Sequence, residues 1–497
     1  MVSVTFPDPV LLRRAAARLV RRAGEYGDLF LEGTAVVSMR RDGGSESACE
    51  TRSERGGAAR LLTAEGKSRH VTAAGVDPDG VLALADRVDG GGGTGMAVPG
   101  ATGQPGGTPA PAREAAADRP EPGIASARAA VRAYLEEIER LLLRAAGGTA
   151  WGASWMAQPE GIALQAQAQI RSQQILIATS EGEIVEDRRD WTWFTVKVEG
   201  PGRAAATLPG RTAGPRIGTI AGGGARNALR LGAVHPPAEV VQRLVTALDA
   251  ANTTAPAPLG EMPVVLGPGV GGILFHEACG HALEGDRAFA GKSALAEKFG
   301  EQVAPDFLTL VDDPTLDGLP GSRRFDDEGW RTAPTVLIER GRVVGLLLDR
   351  ATARRAGSAP TGSARRETFR DPPLPRMTNT FVREGLWSPG SIVSAVARGL
   401  YVWELGPGQV DTASGEFVFQ VRRGAIVAGG RMVAASGPCA ITGSSLKALA
   451  GVRAVGTDLR FDPGAGECAK DGQRARAAVG QPTLLVEGLV VMPTTTG

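Results

Sequence analysis

The chain has 497 residues, 42% hydrophobic and 22% charged, which excludes a disordered chain and leaves room for two or more separately cored regions. Its 55 basic and 54 acidic side chains give a formal net charge of +1, so there is no basic excess to hold a nucleic-acid backbone. Four cysteines cannot make a disulfide scaffold at this length, and no stretch reaches the ~18–20 apolar residues of a membrane span, so a cytoplasmic protein with free thiols and no membrane segment is expected.

The chain opens on a helix signal. Asp8 can cap, Pro9 suits the first helical position, Leu11, Leu12, Ala15, Leu19 and Val20 trace an apolar stripe, and Gly24 is placed to stop it. Arg13 and Arg14 break the apolar run, so it does not read as a signal peptide. From Leu29 to about His70, alternation and turn residues predict short strands and hairpins. Residues 90–123, rich in Gly, Pro and Ala, predict a flexible insertion.

Ile124 to Ala146 reads as a helix. Gly161 to Val198 alternates on both sides of Ser180-Glu181-Gly182-Glu183, as a hairpin or meander would, with Trp191 and Trp193 on one face. Val241, Leu244, Val245 and Leu248 fall at helical spacing. Ala255 to Leu259 (APAPL) is the expected boundary between an N-terminal α/β domain, 1–255, and a β-rich C-terminal domain, 256–497, giving an α+β protein. In the second half, a hairpin is expected around Glu339-Arg340-Gly341-Arg342, and two or three strands from Gly415 to Val433.

Two of only four histidines lie five residues apart, in GGILFHEACGHALEGD (Gly271 to Asp286). An H-E-x-x-H helix places both imidazoles on one face for zinc, with the Glu as general base. Here the spacing is one longer. On an ideal helix His276 and His281 would stand about 140° apart, at ~100° per residue. They can share a metal only if the helix widens into a π-bulge or ends between them, and Gly280 permits either. Glu277 is then the general base. The third ligand remains open. Cys279 points poorly and Cys439 suits an apolar core. Cys468, in a Gly-rich loop with Lys470 nearby, is favoured, with Glu284 second as a ligand or as a carboxylate orienting His281. Arg376 and Asn379 can either contact a substrate carbonyl or oxyanion or pin a turn. The acidic run Asp326 to Glu328 is expected on a solvated face or interface.

HEACGHALEGD, with RRFDDEG (Arg323 to Gly329), LIERG (Leu337 to Gly341), RMTNT (Arg376 to Thr380), GLYV (Gly399 to Val402) and CAKDGQ from Cys468, resembles the TldD/PmbA family, nearer its zinc-bearing TldD branch. The resemblance is dense from about residue 260 to 485. It implies a zinc peptidase with His276, His281 and Cys468 as ligands and Glu277 as the catalytic carboxylate. It also implies substrates that are short or unfolded peptides, leader peptides of ribosomal precursors among them, and a partner that is a zinc-free TldE/PmbA-type subunit or a second copy. The chain departs from the family's usual Cys-Gly-Lys-Asp-Gly-Gln loop at Ala469. The rival expectation is a non-enzymatic regulatory or binding subunit whose zinc is structural, closed by a fourth protein ligand.

Overall fold

A computed structural model of the chain describes residues 6–74, 78–88, 124–147, 163–201, 216–225, 228–251, 254–269, 272–462 and 467–494. The expected insertion at 90–123 lies outside them. In the first half, strands β1 (Tyr26–Asp42), β2 (Ser45–Leu62), β3 (Ser68–Ala74), β4 (Ala163–Thr179), β5 (Ile184–Pro201) and β6 (Arg216–Ala225) form an antiparallel sheet in the order β3-β2-β1-β4-β5-β6. The strands expected to be short are long instead, 17 residues in β1 and 18 in β2. Gly43 and Gly44 join them with φ of 56° and 86°, the left-handed pair that a two-residue hairpin turn requires.

The two-residue period of each strand divides its side chains between two faces. Leu29 and Leu31 of β1 meet α1 (Pro9–Arg18) and α2 (Pro78–Arg87), whereas Phe30 faces the other way. Asp8 caps α1 by accepting from the Val10 amide, and the helix stops at Arg18, well before Gly24. Over the far end of the sheet, α3 (Ile124–Gly147) and the helix Pro237–Ala251 bury Val131, Leu135, Ile138, Leu244 and Leu248 against Ala166, Phe194 and Val196. Among the described residues, no helix is long and apolar enough to cross a membrane.

The second half is built on a barrel. Strand Gly260–Leu266 pairs with Arg398–Val410 on one side and Leu484–Met492 on the other. Cys439–Ser444 joins Leu484–Met492 to Glu416–Ala428, and this last strand pairs back onto Arg398–Val410, closing a ring of five. Val264, Leu266, Leu400, Phe417, Phe419, Ile441 and Leu489 belong to its core. A second sheet contains Leu310–Asp312, Asn379–Val382 and Ala478–Gln481. The expected hairpin is present: Thr335–Glu339 and Arg342–Val343 pair across Arg340 and Gly341, both at positive φ. The helical segment carrying the two histidines starts against Gly480. A Cβ on Gly272 would lie 2.7 Å from the Gly480 nitrogen, so only glycine admits this approach.

The N-terminal sheet meets the C-terminal part through buried charge. The Arg60 guanidinium pairs with Asp28 at 2.5 Å and with Glu328 at 2.6 Å, and Arg366 reaches Asp28 at 2.8 Å. Arg189 of β5 pairs with Asp327 at 2.5 Å. The acidic run Asp326 to Glu328 is at most 1% exposed, which decides between the solvated face and the interface expected for it: it sits at an interface, against the arginines of the sheet. Burial, with Glu328 close by, raises the Asp326 carboxyl to about 8 and that of Asp349 to about 7. Phe369 lies over Gly56, where a Cβ would come within 2.1 Å of its ring.

Candidate metal centre

The histidine segment changes helix type twice. Gly272–Phe275 is α-helical, His276–Gly280 is a π turn, and His281–Leu283 is a 3₁₀ turn. The His281 amide donates to the His276 carbonyl, a five-residue step that marks the widened turn. This places the imidazoles side by side, with ring centroids 5.3 Å apart and planes at 81°. Gly280 is needed for another reason as well. A Cβ there would lie 1.9 Å from the Met377 sulfur, so any larger residue would force that side chain to move.

The third side chain arrives on a hairpin. Glu467–Lys470 and Gln473–Arg476 are joined by Asp471 and Gly472, at φ of 48° and 81°. Alternation then puts Cys468 and Lys470 together on the buried face. The Cys468 sulfur is 3.1 Å from His281 Nε2, and one donor atom each from His276, His281 and Cys468 all fall within 4.8 Å of one another. Burial alone would push the Cys468 thiol up; His276 and His281 beside it overcome this and hold it well below its ordinary value. Burial likewise opposes charge on His281, but Glu284 and Cys468 outweigh it and raise that imidazole well above its usual value.

Glu284 is fully buried and does not join the donor set. Its carboxylate accepts from His281 Nδ1 at 2.9 Å and pairs with Lys470 Nζ at 2.9 Å. Despite burial, those two partners bring it down to about 2. Lys470 also donates to Asp286 at 2.7 Å and to the Pro375 carbonyl at 2.9 Å. Sequence reasoning assigned Lys470 only to the thiolate. Its wider part was legible in the Cys-x-Lys alternation before an Asp-Gly turn. Glu277 is one-third exposed, with Oε2 3.6 Å from His281 Nε2.

Arg376 and Asn379 do not reach the open side of the site. Arg376 is 1% exposed and donates to the carbonyls of Cys468, at 2.6 Å, and Gln473, at 3.3 Å, clamping the hairpin. Asn379 is fully buried, donating to the Asp313 carbonyl and the Ser322 hydroxyl and accepting from the Gly321 amide. Of the two roles expected for them, their burial and their bonds to neighbouring backbone favour the structural one. Cys279 and Cys439 are buried away from the cluster, and burial pushes the Cys279 thiol up to about 12.

Two nitrogens and a sulfur are donors that zinc accepts in tetrahedral geometry. His276 Nδ1 is a buried polar atom with no hydrogen-bond partner in the protein, a cost that a ligand at the imidazole would help to offset. The residues present therefore fit a zinc ion.

Residues 259–492 match the model of the PmbA/TldA metallopeptidase C-terminal domain. The chain is 33% identical over 332 residues to a protein named Metalloprotease TldD homolog from Buchnera aphidicola subsp. Acyrthosiphon pisum, covering 64% of this chain and 65% of that one. It is 39% identical over 235 residues to a protein of the same name from the Schizaphis graminum subspecies, covering 47% and 49%. The matches thus span half to just under two thirds of these relatives' length. The whole fold resembles the crystal structure of TldE from Thermococcus kodakarensis, with a TM-score of 0.70 at 18% identity, covering 97% of this chain and 99% of that one.

Proposed function

The chain belongs to the TldD/PmbA family, and from that premise we propose that it is a zinc-dependent peptidase, with His276, His281 and Cys468 as metal ligands and Glu277 as general base. The single observation that carries this reading is the convergence of the three donors across a π turn and a distant hairpin. When bound, zinc supplies Lewis acidity toward a peptide carbonyl and toward water. Glu277, partly exposed beside His281, takes a proton from the attacking water and returns it to the leaving amine. Glu284 fixes the orientation of His281 and is itself held by Lys470. Arg376 keeps the cysteine hairpin in register with the histidine turn.

Short or unfolded peptides, ribosomal leader peptides among them, are the substrate class we assign. A cavity of about 1010 Å³ between the N-terminal sheet and the barrel has room for such a chain; it is lined by Trp191, Trp193 and Trp403 and by Glu467 and Arg476 of the cysteine hairpin, next to the metal ligands rather than by the ligands themselves. In this scheme an N-terminal domain, 1–255, shapes access and a C-terminal domain, 256–497, holds the metal. The family premise supports a cytoplasmic enzyme working with a zinc-free TldE/PmbA-type subunit or a second copy. A closed structural site would need a fourth protein ligand. The group of donors among the described residues has three members, and Glu284 is already held by His281 and Lys470. Glu277→Gln tests the scheme: peptide hydrolysis should fall by about 10²–10⁴-fold with zinc content unchanged. Undiminished hydrolysis would contradict it.

A further inference from the structure

A second, smaller cavity of about 70 Å³ adjoins the large one, sharing Trp191, Leu319, Pro320 and Arg476 with it. Its walls are strongly cationic. Arg171, Arg323, Arg365, Arg366 and Arg474 are among the seven arginines that line it, against two carboxylates, Asp190 and Glu367. Asp190 pairs with Arg188 through Oδ2 at 2.7 Å while its Oδ1 has no hydrogen-bond partner, and Glu367 accepts from the Arg474 amide at 2.7 Å.

Some of the arginines are matched by carboxylates behind the wall. Arg366 has Asp28, and Arg189 has Asp187 and Asp327. Arg323 must share Asp327 with Arg189, at 3.7 Å. Arg365 is 3% exposed and donates to the Met377 carbonyl at 2.6 Å; no carboxylate pairs with it among the described residues. Five buried nitrogens of this wall lack any hydrogen-bond partner: Arg171 Nε, Arg323 Nη1, Arg365 Nε, Arg366 Nε and Trp191 Nε1. Burial and the neighbouring arginines pull Arg365 well below its ordinary value and bring Arg323 to about 10. A buried cation without a counter-charge is costly, and a small oxyanion held by several N–H donors removes that cost.

The pocket is coupled to the metal centre through the backbone. Ala475, on its wall, pairs with Cys468 across the hairpin. Arg365 holds the Met377 carbonyl, and the Met377 side chain packs on Gly280 of the histidine turn.

We propose that this arginine-lined pocket is an oxyanion subsite that takes the C-terminal carboxylate of a peptide lying in the adjoining large cavity. The subsite makes the enzyme read the free end of its substrate. The anion chemistry stands on the pocket alone; the identity of the anion rests on the peptidase reading above. A carboxylate held by two or more charged donors should favour the free acid by about tenfold or more.

The test uses the full chain carrying Glu277→Gln, so that binding is read without turnover, and fluorescein-labelled penta-alanine as free acid and as C-terminal amide. Anisotropy titrations should show about tenfold tighter binding of the acid. Inorganic phosphate should compete with the acid form and raise the melting temperature of the protein. Arg365→Gln should abolish both effects. Arg474→Gln, at an exposed rim position where folding is not at risk, should shrink the preference for the acid. Equal binding of acid and amide overturns the proposal and leaves the peptidase reading intact. So does phosphate stabilisation without an end preference, which would mark a site for a free anion. Failure of both peptides to bind, together with no hydrolysis by the unsubstituted chain, would overturn the peptidase reading and the proposal with it.

Discussion

The metal centre and the ion-pair network between the two halves are both buried and both charged, but their groups are arranged differently. In the network, Arg60 sits between Asp28 and Glu328, and Arg189 between Asp187 and Asp327, so each cation named has carboxylates at 3.1 Å or closer. At the metal centre the carboxylates paired with Lys470, Glu284 and Asp286, lie behind the donors, while His276 Nδ1 is left without a hydrogen-bond partner and the Cys468 thiol is held well below its ordinary value by His276 and His281. A satisfied cluster fixes two sheets against each other. A cluster with three donor side chains brought to a common point is prepared for chemistry.

Breaking the network should show the first role in isolation. Arg60→Met leaves Glu328 buried without its cation, and loss of one member of a buried pair costs about 3–5 kcal/mol. The urea midpoint should fall accordingly while zinc per folded chain stays unchanged. A loss of zinc with unaltered stability would mean the two clusters are not separate devices.

The second role is sharpened by Glu284→Gln. The side chain still fits, but it no longer balances Lys470 or draws the proton of His281. Outer-sphere partners of this type are worth about 10–100-fold in metal affinity, and chelator competition should show a weakening in that range. Unchanged affinity would reduce Glu284 to a packing role.

The smallest effect belongs to the rim of the network. Burial, with Arg366 beside it, pushes the His70 imidazole down to about 3, while Asp28 pulls the other way and Arg60 adds to the depression. In the unfolded chain the group titrates near 6.5, at about 1.36 kcal/mol per pKa unit. The folded state therefore holds it neutral, and its contribution is complete above about pH 6.5 and lost as the pH falls toward 3. Between pH 7 and pH 5 the wild type should lose roughly 1–2 kcal/mol relative to His70→Gln, measured as the difference in urea midpoints. Parallel pH profiles would remove His70 from the network.

How much of this was legible in the sequence follows from the range of the interactions. Local signals carried well: the Ser180-Glu181-Gly182-Glu183 turn sits between β4 and β5, and α3 runs from Ile124 as the apolar period implies. The i, i+5 spacing of the histidines demanded a distortion, and the π turn is that distortion. Long-range pairing was not legible. Nothing local tells Arg60 that Glu328 will lie beside it, and a run of three acids leaves a solvated face and an interface both open until its arginines come from other strands. Strand length was underestimated between Leu29 and His70 because glycines inside a strand cannot be told from turn glycines locally; in the sheet, Gly33 lies within β1, whereas Gly43 and Gly44 do make a turn. For Arg376 and Asn379, polar side chains near a motif left substrate contact and a structural role both open in the sequence, and only their long-range hydrogen bonds to backbone favour the second.

The central claim is that His276, His281 and Cys468 hold one metal ion. Its most direct test is zinc stoichiometry by mass spectrometry on the wild-type chain and on Cys468→Ala, both checked for folding. The account predicts one zinc per wild-type chain and its loss in the variant together with hydrolysis. Full zinc occupancy in Cys468→Ala would contradict it.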